Sequence, residues 1–255
     1  RLHLTHVQFH SYGSEGKRGF SSGAAQIAEA VNGNPNISVD VGQIMFGQTV
    51  TTSGDTMMQY RNHRHAHPRK WLCMDIECDA GCGVVPFRYR DRNFVNALQW
   101  AIGLELFLRS EDPWRMVFST DHPNGGSFMT YPKLIRLLMD SEFRKEEMAK
   151  VNQQALEHSG LRDCASREYS LSEIAIITRA GPARLLGLAN KGHLGVGADG
   201  DVTIYEEDAD KEKMFSTPRF VIKDGEPVIE DHEFRADREG RLIHVAPDYD
   251  PAIEQ

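Results

Sequence analysis

The sequence has no apolar run long enough to cross a bilayer and no basic block long enough to track a phosphate backbone. Neither a membrane nor a nucleic acid is therefore an expected partner. The charge balance points the same way, with 37 acidic against 29 basic side chains and a net charge of −8. Such a balance does not attract polyanions. The four cysteines, Cys73, Cys78, Cys82 and Cys164, form no CxxC pair, which excludes a zinc ribbon or a dithiol redox centre and suits a reducing compartment. No GxSxG elbow accompanies Ser119 and Thr120, so a serine-hydrolase triad finds no support. Internal repeats and low-complexity segments are lacking too. The amino end carries no charged-then-apolar targeting pattern, and the expected location is the cytoplasm. Arg1 opens the chain inside an alternating apolar run with no initiator Met, so the sequence reads as the tail of something longer.

What is present is the composition of a globular protein, 40% hydrophobic and 26% charged over 255 residues, enough for one large core or two modest ones. Arg1 to Phe9 alternates apolar and polar side chains as a strand does, with His6 near its carboxyl end. After a glycine-bearing loop, Ser11 to Gly19, the spacing of Ala24, Ala25, Ile27, Ala28 and Val31 predicts a helix. Ile37 to Phe46 then reads as a second strand, and strand, helix, strand makes a parallel βα unit. Residues 50 to 90 follow no period, and one hairpin near Lys70 to Tyr89 is expected there. From Asn93 a long amphipathic helix runs to Phe107, and Asp112-Pro113 ends it. The short run Trp114 to Phe118 is the next buried strand.

Helices are expected from Pro132 to Met139 and from Glu142 to His158. A capping box, Ser170-Leu171-Ser172-Glu173, opens another over Ile174 to Arg179. Pro182 starts and Gly187 stops one more. Beyond Gly192 the character changes to short strands at Val202–Tyr205, Phe220–Ile222 and Leu242–Val245. These elements define an α/β chain, with an α/β body over residues 1–190 and a β-rich tail over 191–255.

In parallel α/β proteins ligands bind at the carboxyl ends of the strands. His6 and Asp121 both fall at such ends, and Asp121 is followed by His122-Pro123-Asn124-Gly125-Gly126, whose glycines let the backbone turn tightly against a bound group. An imidazole and a carboxylate suit zinc, which takes nitrogen and oxygen ligands and lowers the pKa of a bound water. A hydrogen-bonded structural histidine and a turn-capping aspartate are the plainer alternatives. His63-Arg64-His65-Ala66-His67 could chelate on one face of a strand, but its polar, basic surroundings favour a solvated loop. Cys73, Cys78 and Cys82 read as small buried residues beside a glycine turn.

Two stretches carry a resemblance to a known family. Thr178 to Gly187 with Lys191 to Val202 resembles the segment where amidohydrolases leave their barrel and enter a small β-sandwich. Leu2 to Val7 resembles their sixth barrel strand, whose histidine binds metal, and Asp121 falls where their eighth-strand aspartate stands. More narrowly, Thr5 to Gly13, Val95 to Glu105 and Thr120 to Gly126 with Tyr131-Pro132 are similar to the A subunits of formylmethanofuran dehydrogenases and of the bacterial formyltransferase/hydrolase complexes. The resemblance implies the carboxyl half of a (β/α)8 barrel followed by a small β-sandwich tail. It implies a C–N hydrolase that converts the formamide of N-formylmethanofuran to formate and methanofuran, or runs the reverse condensation, in a complex with other subunits of one-carbon metabolism. His6 and Asp121 would be metal ligands and Asp121 also the proton carrier, with zinc as cofactor, mononuclear or binuclear in the complete enzyme. His122 and Asn124 would lie in an outer layer or contact substrate.

In that family an HxH pair on the first strand, a carboxylated lysine on the fourth and a histidine on the fifth complete the site, and all would lie before Arg1. This chain would then be a truncated product or half of an enzyme completed by another chain, and the alternatives are hydrolysis of another cyclic amide or amine, or a non-catalytic scaffold subunit that keeps the fold and binds partner subunits.

Overall fold

The computed structural model of the protein describes residues 2–13, 20–42, 46–53, 83–122, 125–240 and 242–243. Its centre is a parallel three-stranded sheet of β1 (Leu2–Leu4), β4 (Ile37–Asp40) and β7 (Met116–Val117), in that order. The register pairs Leu4 with Val39 and Val39 with Met116, so the three strands end side by side. Along the chain, a short antiparallel pair of β2 (Tyr12–Gly13) with β3 (Ser21–Ser22) separates β1 from the helix α1 (Ala24–Gly33). The expected βα unit is thus formed.

The first strand is shorter than its alternation predicts. Its ladder stops at Leu4 because His6 adopts φ 50° and ψ 45°, a left-handed conformation that no strand can continue through, and Val7–His10 coils into a 3-10 turn. The expected hairpin near Lys70 to Tyr89 is corrected as well. β6 (Gly83–Tyr89) pairs antiparallel with β5 (Gly47–Ser53) over seven residues each, so its partner lies upstream of that window. Residues 54–82, with the His63–His67 stretch and Cys73, Cys78 and Cys82, lie outside the described residues.

The longest helix, α2 (Phe94–Arg109), starts where Asn93 caps it by accepting the backbone N–H of Asn96 at 3.1 Å. It is apolar on nearly every side, which marks a helix enclosed by neighbours. Leu98, Ile102, Leu104, Leu106 and Phe107 are fully buried and join Val39, Val41 and Met116 in one core. At about 25 cal/mol per Å² of apolar surface, this packing is the main favourable term for the body.

After β7 come α3 (Tyr131–Met139), with Pro at its first turn, and α4 (Ser141–Lys150). The single helix expected over Glu142 to His158 is broken at Val151–Asn152. Asn152 caps a separate α5 (Gln153–Glu157) by accepting the Ala155 N–H. The short α6 (Leu161–Cys164) follows. The capping box forms as expected and opens α7 (Leu171–Ala175), which widens into a π segment, Ile176–Ala180, before α8 (Gly181–Leu185).

The carboxyl-terminal part is one antiparallel sheet of order β11-β10-β9-β8, from β8 (Val202–Ile204), β9 (Phe220–Lys223), β10 (Glu226–Glu230) and β11 (Glu233–Phe234). The turn at Asp224-Gly225 leads into β10 and β11, two strands that the pattern did not announce. Leu242 and Ile243 are not in a strand, and the rest of that expected strand lies outside the described residues. A helix the pattern did not announce, α9 (Lys211–Ser216), packs on α3, and Arg136 donates to Asp210 at 2.8 Å. Among the described residues no helix is long and apolar enough to cross a membrane.

Candidate metal centre at the strand ends

Each strand of the parallel sheet delivers one ionisable side chain to its carboxyl end. β1 delivers His6, β4 delivers Asp40 and β7, four residues on, delivers Asp121. Because the strands run parallel and in register, those ends fall on one rim of the sheet, where ligands bind in this architecture.

His6 and Asp121 share an unusual backbone. Both have φ of 50°, in a region that costs a residue with a Cβ energy unless its surroundings hold it there. At Asp121 the turn is held by a 2.7 Å hydrogen bond from the Gly125 N–H to the Asp121 carbonyl, with Gly125 and Gly126 buried beneath it. The result brings the His6 Nδ1 and the Asp121 Oδ1 to 3.8 Å. Two donors each 2.0–2.2 Å from a tetrahedral zinc stand roughly 3.4 Å apart. The pair is therefore a few tenths of an ångström from the spacing of co-ligands, and its nitrogen and oxygen donors are of the right kind.

Asp40, which the sequence pattern places inside a strand without further distinction, proves central. It is 7% exposed. Its Oδ1 accepts the His6 backbone N–H at 3.1 Å and the Ser119 hydroxyl, and stands 3.6 Å from His6 Nε2. Its Oδ2 is 3.4 Å from His3 Nε2, and His3 Nδ1 is 3.0 Å from the Ser38 hydroxyl. Ser119 in turn accepts the Gly42 N–H at 2.9 Å. Burial alone would raise the Asp40 carboxyl, but hydrogen bonds from His3, Ser119 and the His6 backbone, with the field of His6, outweigh it and hold the carboxyl below its ordinary value. A signal for Asp40 was present in the alternation of Ser38 and Asp40 with Val39 and Val41, which puts two polar side chains on one face of a buried strand.

The other expected residues fare differently. The His122 ring packs edge to face on Phe128 at 4.8 Å, both residues being exposed. Asn124 lies outside the described residues.

A second acidic group, Asp199, Asp201 and Asp224, also clusters closely enough to hold a cation. Its space is taken by lysines. Lys191 Nζ stands 2.7 Å from Asp199 and also bonds Asp201, while Lys223 Nζ reaches Asp201 at 2.8 Å and Asp224 at 3.2 Å. This is a salt-bridge knot tying the connector to the tail sheet.

A histidine and an aspartate thus meet at the carboxyl rim of a parallel sheet, the place where α/β barrel enzymes bind their ligands. The Amidohydrolase family model matches residues 1–229, and the chain belongs to that family. Over its whole length it is 46% identical to the A subunit of the formyltransferase/hydrolase complex Fhc of Methylorubrum extorquens, covering 47% of that protein. It is 44% identical over 94% of its length to the protein FwdA of Methanocaldococcus jannaschii, covering 43% of it. Among solved structures it resembles a chain of the formyltransferase/hydrolase complex FhcABCD from Methylorubrum extorquens in complex with methylofuran. The TM-score is 0.81 at 50% identity, over 92% of this chain and 43% of that one. The chain spans about half the length of the curated relatives it matches.

Proposed function

We propose that this chain is the carboxyl half of a (β/α)8 amidohydrolase barrel, with residues 1–190 as barrel and 191–255 as one layer of a small composite β-sandwich. In the complete polypeptide it hydrolyses the formamide of an N-formylmethanofuran-like substrate to formate and the free amine, or runs the condensation in reverse, as one component of a formyltransferase/hydrolase-type complex. The observation that carries this reading is the His6–Asp121 pair, 3.8 Å apart on the shared rim, in a chain so similar to the Fhc protein of Methylorubrum extorquens.

His6 and Asp121 hold zinc in this reading. The ion supplies Lewis acidity toward the formamide carbonyl and lowers the pKa of water. Asp121 does the proton work. It accepts a proton from the attacking water as the water oxygen bonds to the formyl carbon, and returns it to the nitrogen as the C–N bond breaks, so that neutral amine and formic acid leave, the acid giving its remaining proton to solvent as formate. His6 keeps its imidazole beside that carboxylate throughout. His122, beside Asp121 in the chain, stays a candidate substrate contact, and so does Asn124.

The test is formate release from a furfuryl formamide by the complete polypeptide in its complex, with Asp121→Asn beside the wild type. Loss of general acid–base help predicts a turnover lower by about 10²–10⁴-fold in the variant. Equal turnover in both would point to a scaffold role, and cleavage of cyclic amides in place of formamides to a different substrate.

A further inference from the structure

Asp40 touches all three strands of the parallel sheet. It sits on β4, accepts from Ser119 beyond β7 and from the His6 backbone beyond β1, and has two imidazoles within 3.6 Å. A carboxylate taken out of water costs several kcal/mol unless it is well partnered. A neutral amide in its place could accept the same two hydrogen bonds at less cost. What a negative charge adds is attraction for an imidazole N–H, and the His6 ring is the group that both Asp40 and Asp121 face. Side chains that hold a metal-binding histidine by its other nitrogen fix the ring's orientation and its proton.

We propose that Asp40 is the positioning residue of this centre: it locks the left-handed backbone of His6 through the N–H and sets the angle at which the His6 ring meets Asp121. Ser119, donating to the same carboxylate oxygen and accepting from Gly42, keeps Asp40 from turning. The assignment rests on the reading of His6 and Asp121 as the metal-holding pair.

The experiment compares Asp40→Asn, Asp40→Ala and Asp121→Asn in the complete polypeptide within its complex. The readouts are kcat, KM, melting temperature and metal retained after dialysis against a chelator. Asp40→Asn keeps the shape and the oxygen that accepts from Ser119 and the His6 N–H, and loses the charge and the acceptor facing His3. The expected result is a kcat lower by about 10–100-fold with KM unchanged, faster loss of metal to the chelator and little change in melting. Asp40→Ala should lose more of both kcat and metal. Wild-type kcat and metal retention in Asp40→Asn, beside an impaired Asp121→Asn, would overturn the proposal and leave the site standing. An Asp121→Asn protein with wild-type turnover and metal would overturn the site, and the proposal with it.

Discussion

At the scale of single residues, charge is placed where partners already wait. Asp201 illustrates this away from the rim. Burial alone would raise its carboxyl, but Lys191, Lys223 and the Asp224 backbone N–H hold it well below the usual carboxylate range. A carboxyl whose folded pKa lies below its unfolded one stabilises the protein above the unfolded value of about 3.9, and that stability fades as pH falls below it. Acid melts of the wild type should therefore lose stability progressively as pH falls below about 4. Asp201→Asn should melt lower at neutral pH and show a flatter acid limb. An unchanged acid limb in the variant would show that the knot is not coupled to folding. His6 and Asp121 were singled out in the sequence because each falls near the carboxyl end of a strand-like run, and Asp121 also precedes a glycine turn. Asp40 was marked only by its polar place in a buried strand, since its meaning arises when three strands, far apart in sequence, end side by side. The lysine knot was hidden for the same reason.

At the scale of elements, signals confined to one turn of chain and signals that depend on a distant partner differ in how they translate. The Ser170–Glu173 capping box forms as written, because it involves one turn of chain. The partner of β6 departs from expectation, because nothing within 83–89 says that 47–53 lies beside it. The π segment was illegible too, yet it buttresses the site: the Phe118 N–H donates to the Ile177 carbonyl at 2.9 Å, just beyond β7. Gly181 makes that approach feasible. A Cβ there would come within 2.8 Å of the Ile176 carbonyl oxygen and of Val117 Cγ1. Gly181→Ala should therefore cost about 1–3 kcal/mol, as overpacking does, and lower the melting temperature by several degrees. A variant that melts with the wild type would show that the π segment and β7 are free to separate.

At the scale of the whole molecule, the described residues form a parallel sheet whose outer strand β1 leaves Leu2 54% and Leu4 41% exposed, in a chain about half as long as its relatives. The tail sheet is joined to the body by α9 on α3 and by the Arg136–Asp210 pair, so body and tail are expected to unfold together. The rim at the sheet's carboxyl end is where the proposed chemistry lies, and its proposed ligands among the described residues are His6 and Asp121. Metal content is the most direct probe of that rim. Elemental analysis of the complete polypeptide should find near-stoichiometric zinc in the wild type and a substantial loss in Asp121→Ala. Equal metal in the two proteins, or none in the wild type, would contradict the assignment of His6 and Asp121 as a metal-holding pair.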